Sequence, residues 1–104
     1  MEKYQVFMTE KAEMDMESIY YYIATECMEP EAAMEQYDRI ASQIMTLAEM
    51  PARIRIMDSE PEHTWKVRGM PVDEYDVLFQ IRGDRVIVLR VLHCKQDMEG
   101  KLFE

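Results

Sequence analysis

The stretch RVIVLRVLHCKQD, residues 85–97, decides the architecture. Its first part is branched and apolar almost without interruption, the composition of a strand covered on both faces and therefore central in a sheet. Its end is polar, with Arg90, His93, Cys94, Lys95 and Asp97 in close succession. Strand periodicity places Val86, Val88, Arg90 and Leu92 on one face and Ile87, Leu89, Val91 and His93 on the other. Arg90 and His93 thus start on opposite faces, and only a twist or bulge would bring them together.

Working outward from this strand, RGDR (82–85) is a turn signal, and YDVLFQI (75–81) before it sets Tyr75, Val77, Phe79 and Ile81 on one face. TWKVRGM (64–70) predicts a further strand, with Trp65 and Val67 on one side and Lys66 and Arg68 on the other, stopped by Gly69 and Pro71. ARIRIMDSEPEH (52–63), preceded by Pro51 and containing Pro61, reads as a loop with a short extended piece at Ile54 and Ile56.

The first half carries a different period. KYQVFM (3–8) alternates as a short strand, and Thr9 offers an oxygen to the first amides of a helix whose opening turn holds Glu10 and Glu13. Ala12, Met16, Ile19 and Ile23 then line one stripe. CMEPEAA (27–33) breaks that helix, with Pro30 suited to the first turn of the next. Ala33, Tyr37, Ile40, Ile44 and Leu47 repeat in steps of four and three, and Ala41 and Ala48 extend the same face. Two such helices pack as an antiparallel hairpin over one face of the sheet. The expected fold is α+β: an N-terminal strand, a two-helix antiparallel hairpin, then a C-terminal antiparallel sheet of about three strands, in one domain over residues 1–104.

Composition narrows the function. The chain holds 12 basic and 21 acidic residues, a net charge of −9, which disfavours non-specific attraction to nucleic acid. The deficit is confined to residues 1–63, so any anion-binding surface is expected to be local and C-terminal. No run approaches the ~20 apolar residues of a membrane span, and the N-terminus lacks the pattern of a secretory signal. A soluble cytoplasmic protein is the expectation. Cys27 and Cys94 form no CxxC pair and read as free thiols, with no zinc site and no cofactor motif.

Among polar residues, Arg68 and Arg90 lie in predicted strands, where a guanidinium needs carboxylates, carbonyls or a phosphate; pairing with Asp76 or Asp97 and ligand binding both satisfy this. His93 offers an imidazole, the side-chain type suited to acid–base work near neutrality, although a lone strand-end histidine is commonly structural. Arg82 and Arg85 read as hairpin solubility charges. Met14, Met28, Met34, Met45, Met50, Met57, Met70 and Met98 fall outside the core stripes, and their adaptable side chains suggest a partner surface.

The order of elements, with YQVFMTEKAEMDMESIYYYI (4–23), AAMEQYDRIASQIMTLAEMPAR (32–53), VRGMPVDEYDVLFQI (67–81) and VLRVLHCKQD (88–97), resembles the RelE/ParE superfamily of type II toxin–antitoxin (plasmid-stabilisation) toxins along nearly the whole chain. The resemblance implies a small growth inhibitor held inactive by a cognate antitoxin, either alone as a homodimer or within a toxin–antitoxin hetero-oligomer. It also implies two chemistries on one fold. The RelE-like branch is a ribosome-dependent mRNA endoribonuclease (mRNA interferase) using basic residues with a C-terminal tyrosine or histidine; the ParE-like branch is a gyrase inhibitor without an established nuclease site. Arg68, Arg90 and His93 occupy matching positions and are the candidate catalytic residues, while Tyr75, Phe79 and Asp97 match positions of structural or functional use. Phe79 stands where tyrosine is common, Lys95 and Gln96 where arginines are, and no tyrosine follows His93. A protein target such as DNA gyrase is therefore favoured over the ribosome with mRNA. An inactive homologue serving as a binding module, or a small α+β interaction domain, are the further alternatives.

The stripe on the second helix generates a stability prediction. Ile44→Asp buries an unpaired carboxylate and removes a large part of the ~5–15 kcal/mol that stabilises a domain, whereas His93→Ala has a far smaller effect. Thermal melts of the two variants make the comparison, and equal losses would make His93 a core residue.

Overall fold

A computed structural model describes residues 3–94. Lys95, Gln96, Asp97 and Met98 lie outside the described residues. Strand β1 (Gln5–Met8) leads into helix α1 (Glu10–Tyr21), which widens into one π-helical segment (Tyr22–Glu26) before helix α2 (Pro30–Met45). Strands β2 (Arg68–Val72), β3 (Tyr75–Arg82) and β4 (Arg85–His93) follow. The sheet order is β1-β4-β3-β2. β2, β3 and β4 are antiparallel neighbours, and β1 joins β4 in parallel, so the nearly continuous apolar strand is interior for the length of β1.

The caps follow the sequence. Thr9 Oγ1 accepts the Ala12 amide at 3.1 Å, and Glu10 and Glu13 occupy the first turn of α1. The interhelical turn contains Met28 at φ 56°, and Pro30 opens α2. Between β3 and β4 the loop is Gly83 and Asp84, with Gly83 at φ 61° where an L side chain is disfavoured. Ala12, Met16, Ile40, Ile44 and Leu47 from the helical layer pack on Met70, Val72, Tyr75, Val77, Phe79, Val86, Val88 and Val91. A smaller cluster of Val67, Leu78 and Leu92 lies on the other face of the sheet with Met57 and Leu89. There the approach is close: a Cβ on Gly69 would stand 3.2 Å from Met57 Sδ.

Several expectations are corrected. The β2 strand starts at Arg68, because residues 60–66 form turns in which Trp65 is 55% exposed and Lys66 has a φ of 56°. Pro71 does not end β2. It sits within it, opposite Asp76, which is tolerated because β2 is a sheet edge and a missing amide there breaks no ladder bond. Ile56 makes a single bridge to Arg68, and Met70 is buried in the core rather than free for a partner.

The simple alternation along β4 also fails, because its pairing with β3 shifts between Leu78 and Phe79: these consecutive residues oppose Arg90 and Val88, leaving Leu89 as the extra residue of a bulge. Val88 and Val91, an odd spacing apart, therefore share the helix-side core, while Leu92 joins the opposite cluster. His93 returns to the helix side beside Tyr75, with ring centroids 5.2 Å apart. Arg90 reaches α1: Nε and Nη2 donate to Asp15 at 2.7 and 2.9 Å, and the Val91 amide donates to the same carboxylate at 3.0 Å.

Asp15 thus satisfies a guanidinium and a strand amide where both side chains of the pair are 15% exposed or less. Asp15→Ala is expected to destabilise by about 2–4 kcal/mol, since it strands a largely buried charge and an amide together. Asp15→Asn, which keeps an acceptor for Val91, is expected to lose less. Urea unfolding distinguishes them, and a loss below ~1 kcal/mol for the alanine variant would remove this role.

Candidate functional site

The three sequence candidates do not converge. Arg68 Nη1 donates to the Ile54 carbonyl at 2.6 Å and the Ala52 carbonyl at 3.4 Å, which pins the loop before β2 to the sheet edge. Arg90 is held by Asp15 of α1. In register, Arg68 opposes Phe79 and Arg90 opposes Leu78, with β3 between them, so their backbones lie roughly two strand spacings, ~10 Å, apart. His93 opposes Tyr75, three residues beyond Arg90. The Asp76 pairing considered for the arginines is replaced by Asp15 and loop carbonyls, and Asp97 lies outside the described residues.

His93 instead lines a groove of about 800 Å³ at the turn end of the helical hairpin. Ile19, Tyr22 and Ile23 form one wall; Ala32, Glu35, Gln36 and Arg39 of α2 form another; Glu74, Tyr75 and His93 close the sheet end. Its geometry follows from the turn between β2 and β3. Asp73 there has a φ of 56°, and its carboxylate accepts from Gln36 Nε2 at 2.9 Å and Arg39 Nε at 2.8 Å. The clasp ties the end of the sheet to the middle of α2. The Arg39 hydrogen bond, then that of Gln36, holds the Asp73 carboxyl below its ordinary range, and Asp73 raises Arg39 in return.

Tyr75 is the buried member of the groove, 8% exposed. Burial pushes its phenol up, and the nearby Glu74, then Cys27 and Tyr22, reinforce this by disfavouring a phenolate among potential negative charges. His93 Nε2 stands 3.5 Å from Glu74 Oε2, long for a hydrogen bond and right for an ion pair when the ring is protonated. Cys27 at the rim is exposed and a free thiol. Chemically, the groove offers one imidazole beside a carboxylate, a neutral phenol, and a guanidinium committed to Asp73. That set suits recognition better than stabilisation of a developing phosphorane, which needs cations aimed at the reacting atoms. Among the described residues, no group of three histidine, cysteine or acidic side chains is placed to hold a metal, and no helix is long and apolar enough to cross a membrane.

Comparison with known proteins adds the family. The family model described as the ParE toxin of the type II toxin–antitoxin system, parDE, matches residues 6–98. The chain belongs to the ParE toxin family. Solved structures similar to this ParE-family chain include the chromosomal ParDE toxin–antitoxin system from P. aeruginosa, at 20% identity and a TM-score of 0.72, covering 89% of this chain and 98% of that one. The toxin–antitoxin complex RelBE2 from Mycobacterium tuberculosis is similar at 20% identity and a TM-score of 0.62, covering 89% of this chain and 93% of that one. No curated protein matches in sequence. At such identity the structures confirm the α+β fold: strand, helical hairpin and closing antiparallel strands.

Arg39 of the groove, Asp73 that clasps it and Asp15 that holds Arg90 were not singled out by the sequence; nothing local marked Asp15 as the partner of a residue 75 positions away.

The Tyr75 environment predicts a pH effect. Because the folded phenol ionises at higher pH than the unfolded one, its contribution to stability is complete below the ordinary tyrosine value of about 10 and is lost as pH rises through the raised folded value. Phenolate absorbance should therefore show a late-titrating tyrosine that disappears in Tyr75→Phe. An unchanged upper limb of the titration in that variant would contradict the assignment.

Proposed function

We propose that this chain is the toxin component of a type II toxin–antitoxin module, a growth inhibitor acting in the cytoplasm on a protein target, with DNA gyrase the leading candidate, and neutralised by a cognate antitoxin. The observation that carries the choice of a protein target is the engagement of the two candidate arginines inside the fold. Arg90 is bound by Asp15 with only 11% of its side chain exposed, and Arg68 binds loop carbonyls. An enzyme that cuts mRNA on the ribosome must hold several phosphates, and a chain of net charge −9 with these arginines so engaged is poorly suited to that. A surface that docks on a protein has no such requirement.

The runner-up is a RelE-like ribosome-dependent endoribonuclease. It is favoured by the placement of His93 at the end of β4, beside Glu74 and Tyr75 in an open groove, where an imidazole could relay a proton.

Induction of the chain without an antitoxin separates the readings. The expected result is growth arrest with blocked supercoiling by purified gyrase and intact translating mRNA by primer extension. Cuts at ribosomal A-site codons that vanish in Arg90→Ala, in a variant whose melting shows it folded, would reverse the order. No effect in either assay would favour an inactive homologue kept as a binding module.

A further inference from the structure

We propose that the open half of the sheet's outer face, built on Phe7, Ile87, Arg82 and Arg85, docks an acidic segment of the protein target, an inference that rests on the protein-target reading and names the chemistry of the contact. The register assigns the face. Val6, Met8, Ile81, Val86 and Val88 pack toward the helical layer, so the residues alternating with them, Phe7, Gln80, Arg82, Arg85 and Ile87, point away from it. Elsewhere this outer face is covered: Leu78 and Leu92 are 1% and 5% exposed, packed with Met57 and Leu89. No such cover reaches Phe7, which is 45% exposed and lies opposite the half-buried Ile87.

Charge singles out the patch. The chain has seven arginines, and five are committed within the fold. Arg39, Arg55 and Arg90 pair with Asp73, Asp58 and Asp15, while Arg53 and Arg68 donate to backbone carbonyls. The other two, Arg82 and Arg85, stand directly opposite each other on β3 and β4, a like-charge cross-strand pair that works against the hairpin. Among the described residues no carboxylate forms an ion pair with either, Asp84 in the turn between them included. Both are instead oriented without being neutralised. Arg82 Nε and Nη2 donate to Gln80 Oε1 at 3.2 and 2.9 Å, and the largely buried Gln80 is fixed in turn by donating to the Trp65 carbonyl at 2.8 Å. Arg85 Cζ lies 5.7 Å from the centre of the Phe7 ring.

Two positioned guanidiniums beside an exposed ring and an aliphatic side chain fit a segment that carries two carboxylates about an apolar residue. Its carboxylates relieve the repulsion between Arg82 and Arg85, and its apolar group covers Phe7 and Ile87. The nine acidic residues from Glu10 to Met45 belong to the helical layer behind the sheet, so an anionic segment meets least repulsion on this face. A nucleic acid strand is a poorer occupant, because it needs a run of cations along its phosphates and the chain as a whole carries −9.

The test uses the full chain with purified gyrase, the leading target, and measures affinity by calorimetry at low and moderate salt. Binding by the wild-type chain examines the choice of target itself. Arg82→Glu with Arg85→Glu is then expected to weaken binding about tenfold or more and flatten its salt dependence, while Lys11→Glu with Arg55→Glu, the same charge change elsewhere, weakens it less than about threefold. The milder Arg85→Gln is expected to melt as the wild type does and still bind more weakly. Binding indifferent to the hairpin pair, or equally affected by both pairs, would overturn the patch and leave the protein-target reading standing. If the wild-type chain does not bind gyrase, that candidate target fails, and a Glu/Leu peptide, its Lys/Leu counterpart and a single-stranded oligonucleotide are titrated into the chain instead. Binding of the Glu/Leu peptide alone, lost in the Arg82→Glu with Arg85→Glu variant, supports the site; binding of none, of both peptides equally, or of the oligonucleotide overturns it.

Discussion

On the edge of β4 away from β3, half the strand has no neighbouring strand, and the fold depends on how that edge is closed. β1 pairs only with Arg85–Val88, whereas β4 runs on to His93. Beyond that point α1 substitutes for a strand. The Thr9 amide bonds the Val88 carbonyl at 3.0 Å, Thr9 Oγ1 donates to the Leu89 carbonyl at 2.9 Å, and Asp15 accepts the Val91 amide at 3.0 Å. Buried backbone groups that would otherwise be stranded are thereby satisfied, and the helix is fixed against the sheet at both of its first two turns. Thr9 also caps the helix, so one side chain sets the start of α1 and its seat on the strand.

This closure explains the departures from simple periodicity. Alternation read along β4 treats it as a regular strand, and it is regular as far as Val88. The extra residue, Leu89, falls where β1 stops, and from there each side chain points to the face opposite its expected one. His93 moves to the helix side for this reason. The strands, both helices and their caps were legible because each depends on local spacing: Ala12, Met16, Ile40, Ile44 and Leu47 are all buried as their stripes require. Pro71 misled because a proline marks a strand's end or a strand's place at the edge, and only the sheet order distinguishes these.

The site was less legible for the same physical reason. Arg68, Arg90 and His93 were marked by residue type, but their partners come from a loop carbonyl, a helix carboxylate and a turn, each set by tertiary packing. The groove itself has no linear signature. It arises at the turn end of the hairpin, beside Tyr22–Glu26, where the β2–β3 turn reaches α2 through Asp73. Methionines 14, 28, 34, 45 and 50 are exposed, as their places outside the core stripes require, whereas Met70 belongs to the core.

The proline within β2 has a consequence for the solitary chain. An open sheet presents two borders to which another copy's backbone could add. On one border, Pro71 removes a donor and the bridge from Ile56 covers the start of the strand. The other is β1, four residues long. Neither offers the long, flat template on which strands of neighbouring molecules stack into fibres, and the chain's −9 charge opposes their approach. A copy of this chain therefore meets little inducement to stack on others through its sheet edges.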